Sequence, residues 1–363
     1  MIVCANPKAQ YKSYKLEIDE AIFKVLEGDK YILGDEVMAL ETEFANFNGS
    51  KYCIGVGNGT DAIEISLRAL NIGYGDEVIT VSHTAVATLS AIERVGACPV
   101  LVDIDPDYFS LDSVHLQESL TSNTKAIVLV HLYGQAGNLM AIEEFCKKND
   151  LYLIEDVAQA HGALYNGKRL GSFGKVGCFS CYPTKNLGAI GDGGLITTND
   201  EILYDEMLKI REYGWVKRNS VTKGINSRLD EIQAAILRVK LKYLDQDNYR
   251  RNEIAKIYNS INLEEVQTPL TRPDSSHVYH QYVCKVQKRD ELIGYLSNNN
   301  IFAGIHYPFP AHQQPAYSEL AKPHSLEITE KICKEIISLP MYPELPKESA
   351  LLVKEKIEDF YCK

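Results

Sequence analysis

Between about positions 34 and 199 the chain alternates amphipathic stretches of helical period with short apolar runs, which predicts a mainly parallel sheet with helices on both faces. The runs at 52–56, 77–81, 99–102, 126–130 and 152–154 read as its strands. From 171 to 198 the strands become closely spaced, with Gly191-Asp192-Gly193-Gly194 as a turn and Leu195-Ile196-Thr197-Thr198 running back. That stretch is the expected chemical edge of the sheet. Positions 200–213 read as a helix, and 230–259 as one long helical region linking two domains. Beyond about 260, a strand-like run at 278–286, helices and proline-punctuated loops predict a smaller α+β domain. The expected division is an N-terminal segment 1–30, a large domain 31–240 and a small domain 241–363.

Composition narrows the class. With 363 residues, 45% of them hydrophobic, the chain can bury a large core. No apolar run approaches the roughly 20 residues of a membrane span, and the first residues lack the pattern of a signal peptide, so a cytoplasmic protein is expected. Nine scattered cysteines suit a reducing compartment. Cys178 and Cys181 form a CxxC, but in a strand residues three apart point to opposite faces, which favours a structural reading. His277 with His280, and His306 with His312, have no accompanying ligand set, so no metal is expected. A net charge of −11 argues against nucleic acid as a partner. Cations do gather around Tyr213-Gly214-Trp215, where Lys209, Arg211, Lys217, Arg218, Lys223 and Arg228 form a candidate diphosphate clamp.

The strongest chemical signal is Lys185. It lies in the loop Ser180-Cys181-Tyr182-Pro183-Thr184-Lys185-Asn186-Leu187-Gly188, downstream of a strand ending Ile154-Glu155-Asp156. Pyridoxal phosphate chemistry needs such a pair: a lysine to hold the cofactor aldehyde and a carboxylate to keep the pyridine nitrogen protonated. Gly55-Val56-Gly57-Asn58-Gly59-Thr60-Asp61 follows a strand and opens a helix, whose free N–H groups and dipole attract phosphate. The run mimics the start of a dinucleotide fingerprint. Its third glycine falls too early, however, and the next strand lacks the ribose-binding acid, so a cup for one phosphoryl group fits better. Beside Asp156, Gln159 is placed to bond a ring oxygen, and His161 to flank the ring or handle protons.

Together, Gly59-Thr60-Asp61-Ala62, Glu155-Asp156 with Gln159-Ala160-His161-Gly162, the Ser180–Gly188 loop, Gly224-Ile225-Asn226-Ser227-Arg228-Leu229, and Ile305-His306-Tyr307-Pro308 resemble the sugar-nucleotide aminotransferases of fold type I. The resemblance spans nearly the whole chain. It implies an α/β fold with a large cofactor domain and a smaller α+β domain, using pyridoxal 5′-phosphate and passing through pyridoxamine 5′-phosphate. Lys185 would then bind the cofactor covalently, Asp156 would meet the pyridine nitrogen, and Gln159 the ring hydroxyl. Gly59, Thr60 and Ser180 would hold the phosphate, with Asn226 reaching in from the second subunit of a homodimer. Arg211, Tyr182, Lys217, Arg228, His306 and Tyr307 are the expected substrate contacts. Where similar enzymes stack an aromatic residue on the ring, this chain has Ala85, leaving His83 or His161 for that face.

The implied reaction moves an amino group from glutamate to a keto-6-deoxyhexose linked to dTDP. C3 is the expected carbon and C4 the alternative; the product would be a 3-amino-3,6-dideoxyhexose for a glycan. A dehydratase of the same fold would carry histidine in place of Lys185. Another pyridoxal phosphate class, or a cofactor-binding sensor without turnover, are the remaining readings.

Overall fold

The computed structural model describes residues 1–320 and 323–362. Three helices come first, α1 (Pro7–Ser13), α2 (Lys15–Leu26) and α3 (Asp35–Asn48). Strands and helices then follow as β1 (Tyr52–Val56), α4 (Gly59–Ala69), β2 (Glu77–Val81), α5 (Val86–Arg94), β3 (Cys98–Val102), β4 (Thr124–Val130), α6 (Leu139–Lys148) and β5 (Tyr152–Asp156). A short hairpin, β6 (Leu164–Tyr165) and β7 (Lys168–Arg169), leads to β8 (Val176–Ser180) and β9 (Gly194–Thr198).

Among the described residues the main sheet has seven strands in the order β1-β9-β8-β5-β4-β2-β3. Pairing is parallel from β8 through β5, β4 and β2 to β3, while β9 runs antiparallel to both its neighbours, β8 and β1. The strands are apolar through their middles because both faces are covered. Ile127 and Leu129 of β4 join a core with Leu40 and Phe44 of α3 and Ile142 of α6. Ala126 and Val128 of the same strand face the other way, into a core with Ile65 of α4, Ile92 of α5 and others. Cys178 lies in the second core and Cys181 in the first, so the two thiols are separated by the sheet.

The chain continues through α7 (Glu201–Arg211), the hairpin β10 (Trp215–Val216) and β11 (Asn219–Ser220), then α8 (Glu231–Leu241) and α9 (Leu244–Tyr258). Glu231 closes the start of α3, which has no cap of its own. Its Oε1 accepts from the amides of Gly34 (2.7 Å) and Val37 (3.1 Å), and its Oε2 from that of Glu36 (2.8 Å). A remote carboxylate thus satisfies the orphan donors of a helix N-terminus and complements its dipole.

A third core unites Ile254 and Tyr258 of α9 with β12 (Val266–Gln267), β13 (Tyr282–Val286), α10 (Arg289–Asn298), β14 (Ile336–Leu339) and α12 (Lys347–Tyr361). Helix α11 (Glu327–Glu335) runs into β14.

Two expected elements differ from those observed. The region 230–259 is two helices broken at Lys242 and Tyr243, where the Tyr243 ring stacks on Tyr14 of the segment between α1 and α2 at 4.3 Å. The break lets α8 stay against α2 and α3 while α9 turns to α12. Within 278–286, β13 starts at Tyr282, because Tyr279 takes a left-handed conformation (φ 45°) and the preceding amide of Val278 bonds Gly134. No helix among the described residues is long and apolar enough to cross a membrane.

Candidate active site

In an open parallel sheet, ligands bind beyond the carboxyl ends of the strands. Here the ends of β4, β5 and β8, with the loops after β1 and β2, surround a cavity of about 530 Å³. That size accommodates a cofactor together with part of a substrate.

Helix α4 points its first turn at this cavity, and the side chain of Asn58 caps it by accepting from the Asp61 amide. The amides of Gly59 and Thr60 lie at the same open helix end, an arrangement suited to an anion. Glycine is required at 59: a Cβ there would come within 2.6 Å of the Ser180 Cβ, so any other residue would push β8 away from the cup. The Ser180 side chain lines the same end of the cavity.

Lys185 lies at the cavity wall in a loop fixed at several points. The Asn186 amide nitrogen donates to Asn248 Oδ1 (2.7 Å) and to the Val278 carbonyl (3.1 Å), and Lys240 Nζ donates to the Gly188 carbonyl (2.5 Å). Loss of water pushes the Lys185 amine down to about 8, while the nearby Asp156 carboxylate acts to raise it. Asp156, buried at the end of β5, accepts from Thr88 Oγ1 (2.8 Å) and from the Ala158 amide (3.1 Å). Burial raises its pKa, against the lowering effect of these hydrogen bonds and of Lys185.

Its neighbour Glu155 is engaged elsewhere. Glu155 accepts from the amides of Gly171, Phe173 and Gly174, each at 2.8 Å, and pairs with His131 Nε2 at 3.0 Å. Gln159 reaches the cavity with its amide held at both ends: Oε1 accepts from the Tyr133 amide (2.8 Å) and Nε2 donates to the Tyr307 hydroxyl (3.1 Å). A second N–H of that amide remains for a ligand.

The structure therefore brings Gly59, Thr60, Asp156, Gln159, Ser180, Tyr182, Lys185, His306 and Tyr307 to one cavity. It places other expected site residues outside the cavity wall. His83 turns away, its ring taken up by Tyr133 (2.7 Å) and Cys333 (3.4 Å). His161 is fully buried against Phe179, with ring centroids 5.5 Å apart; burial and the Lys185 charge push it down to about 3, so it is neutral and out of reach of a ligand. The wall near Asp156 is lined instead by Ala85, Thr88, Val130 and Ala158.

Arg211 is not a free cation. It bonds Glu41 (2.6 Å) and the Gly55 carbonyl (3.0 Å), its side chain 10% exposed, which ties α7 to α3 and β1. Replacing it with methionine should destabilise the protein by about 3 kcal/mol, since a nearly buried carboxylate loses its partner, without changing the KM for substrate. Thermal denaturation and steady-state kinetics check this; a raised KM at unchanged stability would restore the substrate role.

Lys217 sits at the exposed turn of β10–β11, Asn226 is exposed, and Arg228 lies over the Tyr213 ring (5.9 Å) beside Glu212; none of the three lines this chain's own cavity. A cation that does line the cavity is Arg94, paired with Asp61 (2.9 Å) and Glu64 (2.8 Å). His280 and Gln281 also line the wall. No motif announced these three residues.

For a metal, the described residues offer His115, Glu118 and His324, with potential ligand atoms within 4.8 Å of one another. The two imidazoles stack at 4.4 Å with planes 19° apart, so their in-plane lone pairs run side by side instead of converging on an ion.

Comparison with known proteins gives a consistent outcome. The model of the DegT/DnrJ/EryC1/StrS aminotransferase family matches residues 12–358. The chain is 48% identical over 349 residues, 96% of each sequence, to a dTDP-3-amino-3,6-dideoxy-alpha-D-galactopyranose transaminase of Aneurinibacillus thermoaerophilus. It is 45% identical to a pleiotropic regulatory protein of Geobacillus stearothermophilus, over 97% of this chain and 96% of that one. The crystal structure of S. venezuelae DesV in complex with a ketimine intermediate superposes with a TM-score of 0.97 at 40% identity, covering 100% of this chain and 99% of the other.

Proposed function

The chain belongs to the DegT/DnrJ/EryC1/StrS aminotransferase family, and from that premise we propose that it transfers an amino group from glutamate to C3 of a dTDP-linked keto-6-deoxyhexose in the cytoplasm. The observation that carries this reading is the shared cavity of Lys185, Asp156 and the open end of α4. The enzyme is an aminotransferase, and its cofactor is pyridoxal 5′-phosphate.

The residues fit that cofactor. A Cβ at Gly59 would fill the cradle against Ser180, and Asp156 has the burial and few partners of a carboxylate kept for a cationic ring nitrogen. The bound cofactor supplies an aldehyde for covalent attachment and a ring that accepts the electron pair left when the donor's α-carbon loses its proton. Lys185 Nζ would hold the cofactor covalently and, when free, would carry the proton away from the donor's α-carbon and one to the product carbon. Gly59, Thr60 and Ser180 would anchor the phosphate, while the free N–H of Gln159 would serve the ring hydroxyl.

Tyr182, His306 and Tyr307 line the same cavity and would contact the sugar nucleotide. Asn226, Lys217 and Arg228 would serve the cavity of a second copy in a homodimer, a reading supported by their position outside their own site. Light scattering tests the dimer.

Incubation with 3-keto and 4-keto dTDP sugars and glutamate, followed by mass and NMR analysis, tests the substrate. A 3-amino product is expected. Exclusive use of the 4-keto sugar would move the assignment to C4, and no turnover on any keto sugar nucleotide would favour a regulatory role like that named for the Geobacillus relative.

A further inference from the structure

Tyr133 follows β4 in a left-handed conformation (φ 61°, ψ −7°), a backbone geometry that a bulky residue adopts only when its surroundings impose it. The residue is 1% exposed and does not line the cavity, yet each of its polar groups holds a residue that does. Its amide donates to Gln159 Oε1 (2.8 Å), its carbonyl accepts from the Gln281 amide (3.3 Å), and its hydroxyl donates to the His306 carbonyl.

The hydroxyl is itself oriented. A carbonyl can only accept, so the single phenolic proton is committed to His306, and His83 Nε2 must donate to the Tyr133 oxygen. That fixes the tautomer: Nδ1 of His83 is the acceptor, and the Cys333 thiol of α11 donates to it at 3.4 Å. All three groups are in the states this requires. Burial pushes His83 down to about 4, raises Tyr133 far above its usual range and raises Cys333 to about 12. The chain Cys333–His83–Tyr133–His306 therefore has one direction, with every donor proton used once.

We infer that Tyr133, oriented by His83 and Cys333, is a positioning residue for the sugar-nucleotide end of the active site, setting the His306–Tyr307 segment against the cavity. The inference rests on the reading that this segment contacts the sugar nucleotide. It also gives His83 a role the sequence did not suggest: one acting through Tyr133 and not on the cofactor ring.

The Tyr133→Phe holoenzyme removes the hydroxyl and keeps the two backbone bonds. Its KM for the keto sugar nucleotide should rise roughly five- to tenfold, while the cofactor absorbance and the rate of the glutamate half-reaction stay within about twofold of wild type. His83→Leu should act in the same direction, and His83→Gln, whose amide can still donate to the Tyr133 oxygen, should restore most of the loss.

An unchanged KM in Tyr133→Phe overturns the inference, as does a parallel fall of both half-reactions with loss of the absorbance. Tyr307→Phe separates it from the reading beneath it. A raised KM in Tyr307→Phe with none in Tyr133→Phe defeats this inference alone; no change in either defeats both. Should Tyr133→Phe fail to fold, the contrast between His83→Leu and His83→Gln decides.

Discussion

Lys185→Ala should lower turnover by roughly four orders of magnitude, the combined loss of the covalent anchor and of the proton carrier. The expectation follows from placement: the amine lies in a loop fixed by Asn186 and by the Lys240 bond to Gly188, within the field of Asp156. Borohydride reduction followed by peptide mapping should label Lys185 in the native protein and leave the variant unlabelled. The native enzyme adds a pH signature. Freed of cofactor, its Lys185 amine, with a pKa of about 8, attacks an aldehyde only when deprotonated, so the rate of cofactor attachment to the apoenzyme should rise about tenfold per pH unit below that value and level off above it. An exposed lysine would level off near 10.5 instead. Turnover within about tenfold of wild type in Lys185→Ala would reject the assignment.

The second large effect concerns Asp156. Asp156→Asn keeps the shape of the side chain, its oxygen still accepting from the Ala158 amide and its NH2 donating to the Thr88 hydroxyl, but removes the charge, and should lower the rate of both half-reactions by roughly 10³-fold. Burial makes the native carboxylate more basic than usual, which strengthens its hold on a proton at the ring nitrogen. Lys185 is untouched, so the cofactor should still attach and its visible absorbance persist. Single-turnover kinetics with glutamate measure the loss; a decrease of less than about tenfold would show that the ring nitrogen is held by some other group.

Much of the sheet was legible because its strands are buried on both faces and so read as continuous apolar runs. The cofactor end was legible for a related reason. Gly59, Asp156 and Lys185 lie at or just after strand ends, where order along the chain translates into position in the fold. What escaped the sequence depends on partners far away in it. Arg211 meets Glu41 from 170 positions off, and that pairing turned a candidate anion contact into a structural tie. His83 lies two positions before Ala85, where similar enzymes stack an aromatic residue on the ring, but Cys333, 250 positions on, and Tyr133 hold its ring elsewhere. The break at Tyr243 is set by stacking on Tyr14, which helical periodicity cannot register. His280 and Gln281 were read as strand, because the bend that turns them to the cavity comes from a backbone bond to Gly134.

Glu155 and Asp156 are adjacent acids on one strand, and a slip of one residue in β5 would exchange the faces they present. With its four partners in the 171–174 loop and His131, Glu155 acts as a key that allows one alignment of β5 against β4 and β8. Which acid meets the cofactor is thus decided by the alignment of a whole strand. Anyone transplanting this active site to another scaffold would need to carry Glu155 and its loop along with Asp156, although Glu155 takes no part in the reaction.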